Sequence, residues 1–203
     1  MTKVNTYLFI PCLLLFFACA AKPHLGIDQK NLSTDQKSKN GESNQNDIIT
    51  FKKWRFMFEL PSDKWELHIS RTYKKPNLRD TYMFKREGIP NSQNILVEPV
   101  IGFIFEHVPR GQDVYEYHIA GNISGIKEIS IFTHEDGLIV LENAIGTVRT
   151  YVREGVEHTV KQVDAVDGEI GTRVIMDVTS DLFTVVESEF NYTLRNMKFI
   201  KEK

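Results

Sequence analysis

At 203 residues, 41% hydrophobic and 26% charged, the chain sits near the globular average, and its length fits one domain with appendages. Its 25 basic and 27 acidic residues are interspersed and sum to −2, which leaves none of the basic face that nucleic acid demands. Both cysteines, Cys12 and Cys19, fall near the amino terminus, so the body of the chain has no disulfide framework, thiol nucleophile or Cys-ligated zinc site.

Lys3 is followed by an apolar run from Leu8 to Ala18, interrupted by Pro11 and Cys12. That run is too short to cross a bilayer core as a helix, so residues 1–18 read as a signal peptide. Two processing readings compete at its end. Ala18-Cys19-Ala20 fits ordinary secretory cleavage after Ala20, which would leave a secreted or periplasmic soluble protein. Phe16-Phe17-Ala18-Cys19 resembles the lipobox of bacterial lipoproteins, which implies acylation of the Cys19 thiol and cleavage on its amino side. Two features favour Cys19 as a lipid attachment site: it stands where the apolar run gives way to Ala20-Ala21-Lys22-Pro23, and cleavage before it leaves a single thiol, the modified one. Two or three acyl chains, each methylene contributing about 0.8 kcal/mol, would hold the protein to a membrane without a spanning helix. Ala20 follows the cysteine where enteric inner-membrane lipoproteins carry Asp, so this likeness implies the outer membrane rather than the inner.

Residues 19–47 are dominated by Lys, Asn, Gln, Ser, Asp and Gly. Such a segment buries too little apolar surface to offset its ordering entropy and reads as a disordered tether. As a flexible coil it would span about 30 Å.

From Ile48 the pattern changes to short runs of Val, Ile, Phe and Tyr separated by turn signals, so residues 48–203 read as a single domain. A first strand is expected over Thr50 to Leu60, where Trp54, Phe56 and Phe58 alternate with polar neighbours. Trp65 to Arg71 and Thr81 to Arg86 follow, then a long strand over Asn94 to Val108, bent near Pro99 or Gly102. Val114, Tyr117, His118 and Ile119 share one face of a predicted helix that Asp113 caps. A meander follows, with turns at Glu154-Gly155 and Asp167-Gly168. Of the two, Asp-Gly is the stronger type I′ signal. In its last strand Ile170, Thr172, Val174, Met176 and Val178 alternate strictly. Leu182, Val186, Phe190 and Leu194 recur every fourth residue, with Ser180 or Asp181 as cap, and predict a carboxyl-terminal amphipathic helix. The fold class is therefore α+β: an antiparallel sheet of about six or seven strands covered by helices.

Two stretches carry a family resemblance. Phe56 to Trp65 (FMFELPSDKW) looks like the opening of the Mog1/PsbP-like superfamily, an apolar strand ending in Leu-Pro ahead of a Trp, and Glu187 to Phe199 (ESEFNYTLRNMKF) is similar to its closing helix. The resemblance implies an α/β/α sandwich. Its members are binding or assembly factors, including bacterial envelope lipoproteins and secretion chaperones, and share no catalytic residues.

Chemistry is sparse. The six histidines, His24, His68, His107, His118, His134 and His158, form no HExxH or H-x-H pattern. Glu106-His107 and His134-Glu135-Asp136 place imidazole beside carboxylate, but adjacent strand residues point to opposite faces. His118 is expected to pack. Trp54 and Trp65 read as core or core-edge residues. No nucleophile elbow, P-loop or dinucleotide fingerprint occurs. Arg149, Arg153, Lys161 and Arg173 form either a basic stripe on one face of the meander or part of a solvated face with Glu154, Glu157 and Asp164. The sequons at Asn31, Asn122 and Asn191 count only in a eukaryotic secretory pathway. The reading is thus a non-catalytic cell-envelope lipoprotein with no cofactor, metal site or nucleic-acid partner. It would bind the membrane through its lipid and an unknown protein through its domain. The alternative is a carrier of small apolar ligands, with the meander curled into a lipocalin-like cup.

Overall fold

Side chains alternate across a strand, so a long strand with one apolar and one polar parity must lie between a core and something else. The meander obeys this rule over three long strands, and the rest of the domain is arranged around its two faces. A computed structural model describes residues 32–34, 47–74, 78–121 and 127–201. The signal peptide and Cys19 fall outside these residues, as does the tether apart from Leu32–Thr34 and Asp47.

The main sheet has seven antiparallel strands: β4 (Trp65–Tyr73), β5 (Arg79–Arg86), β8 (Val100–His107), β9 (Lys127–Thr133), β10 (Ala144–Arg153), β11 (Val156–Asp167) and β12 (Ile170–Thr179). Their spatial order is β4-β5-β8-β12-β11-β10-β9. A smaller sheet, ordered β1-β2-β3-β13, combines β1 (Leu32–Thr34), β2 (Ile48–Phe51), β3 (Phe56–Glu59) and β13 (Lys198–Phe199), and β6 (Ile89–Pro90) pairs with β7 (Leu96–Val97). Two helices complete the fold, α1 (Val114–Ala120) and α2 (Phe183–Arg195). The architecture is α+β, mostly antiparallel sheet, with a carboxyl-terminal helix.

The core face of the main sheet meets α2 and the small sheet. Ile170, Thr172, Val174, Met176 and Val178, the alternating set of β12, are all buried there. Above them lies an aromatic cluster. Phe103 is fully buried and stands 4.2 Å from Phe58, 5.7 Å from Phe51 and 6.0 Å from Phe84, ring centre to ring centre. Val186, Phe190 and Leu194 of α2 are buried with it, as the four-residue spacing predicts. Trp65 is pinned at the edge, its Nε1 donating to Glu189 of α2 at 2.7 Å. Arg86 Nε donates to the same carboxylate at 3.0 Å.

Several sequence expectations need correction. The strand expected over Thr50 to Leu60 is a hairpin, because a 3₁₀ turn over Lys52–Trp54 and left-handed Arg55 (φ 47°) reverse the chain and pair Phe51 with Phe56. No Gly or Asn marks that turn. The strand expected over 94–108 breaks at Pro99, which cannot donate to a ladder, into β7 and β8. Strand β9 was not anticipated. Neither Ser180 nor Asp181 caps α2, which continues from a 3₁₀ turn over Ser180–Leu182 without a side-chain cap. Asp181 instead accepts from Ser92 N and Oγ at 3.3 and 3.1 Å. The lipocalin-like cup is not formed either: the sheet remains open, with β4 and β9 as edges, and phenylalanines fill the space beneath α2.

The density of ring contacts around Phe103 sets a prediction. Phe103→Ala is expected to destabilise the domain by about 3–5 kcal/mol, read as a lowered urea midpoint with an unchanged slope.

Candidate functional site

The opposite face of the main sheet is polar, and α1 covers only one end of it. Asp113 caps α1 as its sequence position suggests, accepting from the backbone N–H of Tyr115 and Glu116 at 2.8 and 3.1 Å. Tyr117 and His118 turn inward, whereas Ile119, expected on the same face, is exposed. Beneath α1 lies a closed polar cluster. His118 Nδ1 lies 2.7 Å from Asp164 Oδ2, and Arg149 Nη2 lies 3.0 Å from His118 Nε2. A guanidinium only donates, so Nε2 accepts, and the ring proton sits on Nδ1 and is given to Asp164. Arg173 Nε donates to Asp164 Oδ1 at 2.6 Å and Gln162 Nε2 to Asp164 Oδ2 at 2.6 Å. The hydroxyl of Tyr117 donates to Glu106 at 2.9 Å. Any Cβ at Gly121 would fall within the Arg173 guanidinium, so the end of α1 closes directly onto this cluster.

These contacts correct the reading of the basic residues. Arg149 is buried and Arg173 only 11% exposed, and both are paired, neither striped nor solvated. Lys161 belongs to the other face, where it is 2% exposed and donates to Glu187 and Asn191 of α2 at 3.0 and 2.7 Å. His118 packs as expected, though through hydrogen bonds rather than apolar contact. Glu106 and His107 point to opposite faces, and His107 lies against Trp54 at 5.1 Å. His134 and Asp136 serve a local turn, bonding to Ile139 O and Thr133 N at 2.8 and 2.7 Å.

The uncovered end of the polar face holds a cleft of about 440 Å³ lined by Lys85, Gly88, Leu96, Val97, Glu98, Val100, Arg153, His158, Asp177 and Val178. Asp177 sits at its base, 7% exposed. Its Oδ1 takes the Nδ1 proton of His158 at 2.9 Å and its Oδ2 the hydroxyl proton of Tyr151 at 2.7 Å. Tyr151 and His158 are cross-strand partners whose rings lie 5.1 Å apart. Lys85 Nζ donates to Glu98 at 2.6 Å across the mouth. Sequence reasoning listed His158 without a partner and missed Asp177 altogether. The signal was the β11–β12 register: His158 pairs with Thr179, which puts Asp177 on the next diagonal of the same face.

Chemically, Asp177 orients His158 and leaves its second ring nitrogen as the remaining polar atom of that ring. No hydroxyl or thiol lines the cleft. Among the described residues no group of three or more His, Cys, Asp or Glu side chains is placed to hold a metal ion, and no helix is long and apolar enough to cross a membrane.

The class defined by this geometry is an α+β domain with an open antiparallel sheet and a cleft on its polar face. The chain matches no protein-family model and no curated protein. Solved structures resemble it, among them two bacterial proteins. One is a protein of Bacteroides thetaiotaomicron VPI-5482, 10% identical over 73% of this chain with a TM-score of 0.41; the match spans 46% of that protein's length. The other is LpqN of Mycobacterium tuberculosis, described as involved in cell envelope biogenesis, 16% identical over 72% of this chain and 84% of LpqN, with a TM-score of 0.46.

Two predictions follow from the burial of these groups. Asp164→Ala would strand Arg173 and His118 without their acceptor and is expected to cost about 3–5 kcal/mol. Glu98→Ala, which removes an exposed pair, should cost under about 1 kcal/mol; denaturant midpoints of the two variants provide the comparison. Burial, reinforced by the Asp80 charge, pushes the Tyr82 phenol up to about 12 from 10.0. Burial, followed by Asp177, raises Tyr151, and burial raises Tyr117 despite the opposing charge of Arg173. A phenol whose pKa folding raises gives stability that is complete below the unfolded value and lost as pH climbs past it. Stability should therefore hold up to about pH 9 and fall steeply from about pH 10 upward, with the phenolate absorbance of Tyr82, Tyr117 and Tyr151 appearing only as the domain unfolds.

Proposed function

We propose that this chain is a non-catalytic lipoprotein of the bacterial cell envelope, held at the outer membrane by acyl chains on Cys19, whose domain is a binding or assembly factor. The observation that carries the binding reading is the cleft. Its two carboxylates are committed to partners within the domain, neither hydroxyl nor thiol lines it, and one wall is the exposed β6–β7 hairpin. Such a surface favours capture over bond-making. Anchoring is supported by the sequence order of apolar run, cysteine, polar segment and domain. In the same reading the domain is Mog1/PsbP-like. That likeness is supported by the joint burial of Phe56, Phe58, Leu60 and Trp65 from the opening motif, and by the Glu189 hydrogen bond that fastens the closing helix to Trp65.

Mass spectrometry of the mature protein is expected to find an amino terminus at Cys19 carrying fatty acyl mass, and Cys19→Ala to move the protein out of the membrane fraction. An unmodified chain starting at Ala21 would overturn the anchoring. For the binding surface, a photoreactive residue at Leu96 should give a discrete adduct in intact cells that one at Val185 on α2 does not. Equal labelling from both positions would count against the cleft.

A further inference from the structure

From the pairing of β1 with the small sheet, we infer that the outer edge of β2 is a strand-accepting site occupied reversibly by the chain's own Leu32–Thr34, and that docking there shortens the reach of the domain from Cys19. The limit on reach rests on the reading above that Cys19 is the membrane anchor, whereas the strand site does not.

The site follows from the order β1-β2-β3-β13, in which β3 takes one edge of β2 and β1 the other. Their register is antiparallel, with Leu32 opposite Phe51, Ser33 opposite Thr50 and Thr34 opposite Ile49. Ile49 and Phe51 are 3% and 0% exposed, so the main-chain groups along that edge have little access to water and a strand partner satisfies them. The amino-terminal segment offers one match. Between Ile27 and Ile48, Leu32 is the sole large apolar residue in the sequence, and it takes the register position across from Phe51.

Reversibility follows from how little holds β1. It has three residues, against roughly five or six in an ordinary strand. Asn31 and Asp35, both poor strand formers, bound it on either side. Each docking event must also close residues 35–47 into a loop, an entropy cost that three residue pairs do little more than offset. Such a strand opens without unfolding the core. Covalent geometry then sets the consequence. At no more than about 3.3–3.6 Å per residue, the stretch from Cys19 to Leu32 allows about 45 Å, whereas the stretch from Cys19 to Ile48, free once β1 is released, allows about 100 Å. Release therefore lets the domain and its cleft meet partners about twice as far from the anchoring membrane.

The test uses the full chain carrying Cys12→Ala and Cys19→Ala, so that neither a native thiol nor an acyl group interferes. Directly opposed Cα atoms of an antiparallel pair stand about 4.5–5.5 Å apart, within the span a disulfide accepts. Mild oxidation of the variant with Ser33→Cys and Thr50→Cys is therefore expected to close the bond at least about tenfold faster than the variant with Ser33→Cys and Val152→Cys. In hydrogen exchange, the amides paired between β1 and β2 should be protected at least about tenfold over an unstructured chain, yet exchange ahead of those of β12. Leu32→Asp should cancel both the fast crosslink and the protection while the urea midpoint of the domain stays unchanged. Equal crosslinking rates or absent protection would show that β1 does not dock. Exchange only in step with β12, or a urea midpoint lowered by Leu32→Asp, would make it a fixed strand, and either result overturns the inference. For reach, the acylated chain with native Cys19 carries a fluorescent amino acid at Val185. Closing the bond between positions 33 and 50 should raise energy transfer to a dye in the membrane, and unchanged transfer would overturn the limit on reach. A Cys19 found without acyl groups would remove the anchor and leave the strand site standing on the crosslink and the exchange.

Discussion

The register of β10, β11 and β12 is the constraint on which both faces of the domain depend. Two-residue turns join these strands, so directly opposed residues have opposite parity: Arg149 faces Val160, Asp164 faces Arg173, and Lys161 faces Met176. Odd positions of β10 and β12 therefore share a face with even positions of β11. One parity delivers Val163, Ala165, Val174 and Met176 to the aromatic core, and the other delivers Asp164, Arg173, Asp177 and His158 to the polar face. A slip of one residue would turn Arg149 and Arg173 into the phenylalanine cluster, where nothing could pair them, so the register is strongly specified.

The two faces are held by different physics. On the core face the gain is apolar burial, and Lys161 is tolerated there because Glu187 and Asn191 meet its ammonium while Phe132 and Phe183 stand 5.8 and 5.6 Å from it. On the polar face, α1 has only seven residues, far below the length at which a helix is stable by itself. Its position comes from Tyr117 and His118, which insert between Glu106, Asp164 and Arg149. Buried charge adds little net stability over an apolar replacement, yet losing one partner is costly. The cluster therefore fixes where the helix sits more than how stable the sheet is.

How much of this is legible in the sequence depends on whether the signal is local. The alternation of β12 and the four-residue spacing of α2 name core residues correctly, since burial acts on each position directly. Turn chemistry is subtler. Glu154 and Gly155 both have positive φ, at 52° and 81°, the type I′ pattern, although Asp-Gly is the better sequence signal. At the other turn the central residues are Gly168 and Glu169, because Asp167 pairs with Ile170. Positive φ at Gly168 alone, 63°, matches type II′. The Phe51–Phe56 hairpin left no mark because an arginine occupies its left-handed position. The polar site was half readable: parity across a two-residue turn already separates Lys161 from Arg149 and Arg173. What the sequence does not carry is the position of α1, which decides whether those arginines meet water or His118.

The same side-chain pair occurs twice on the polar face, and its surroundings give it two roles. His118 and Asp164 are nearly inaccessible, and the second imidazole nitrogen is taken by Arg149, so every polar atom of that ring serves the fold. His158 and Asp177 repeat the carboxylate-to-Nδ1 contact further along β11 and β12, with Tyr151 in place of Arg173 as the second donor to the carboxylate. There no helix lies above, and the second nitrogen borders a cleft. An oriented imidazole left uncovered gains nothing for stability that a covered one does not, yet it still bears the entropy cost of being held in one rotamer. The incomplete cover over β11 and β12 is therefore the feature of this sheet that packing alone does not explain, and it coincides with the Lys85–Glu98 pair at the mouth of the cleft and with the exposed wall at Leu96.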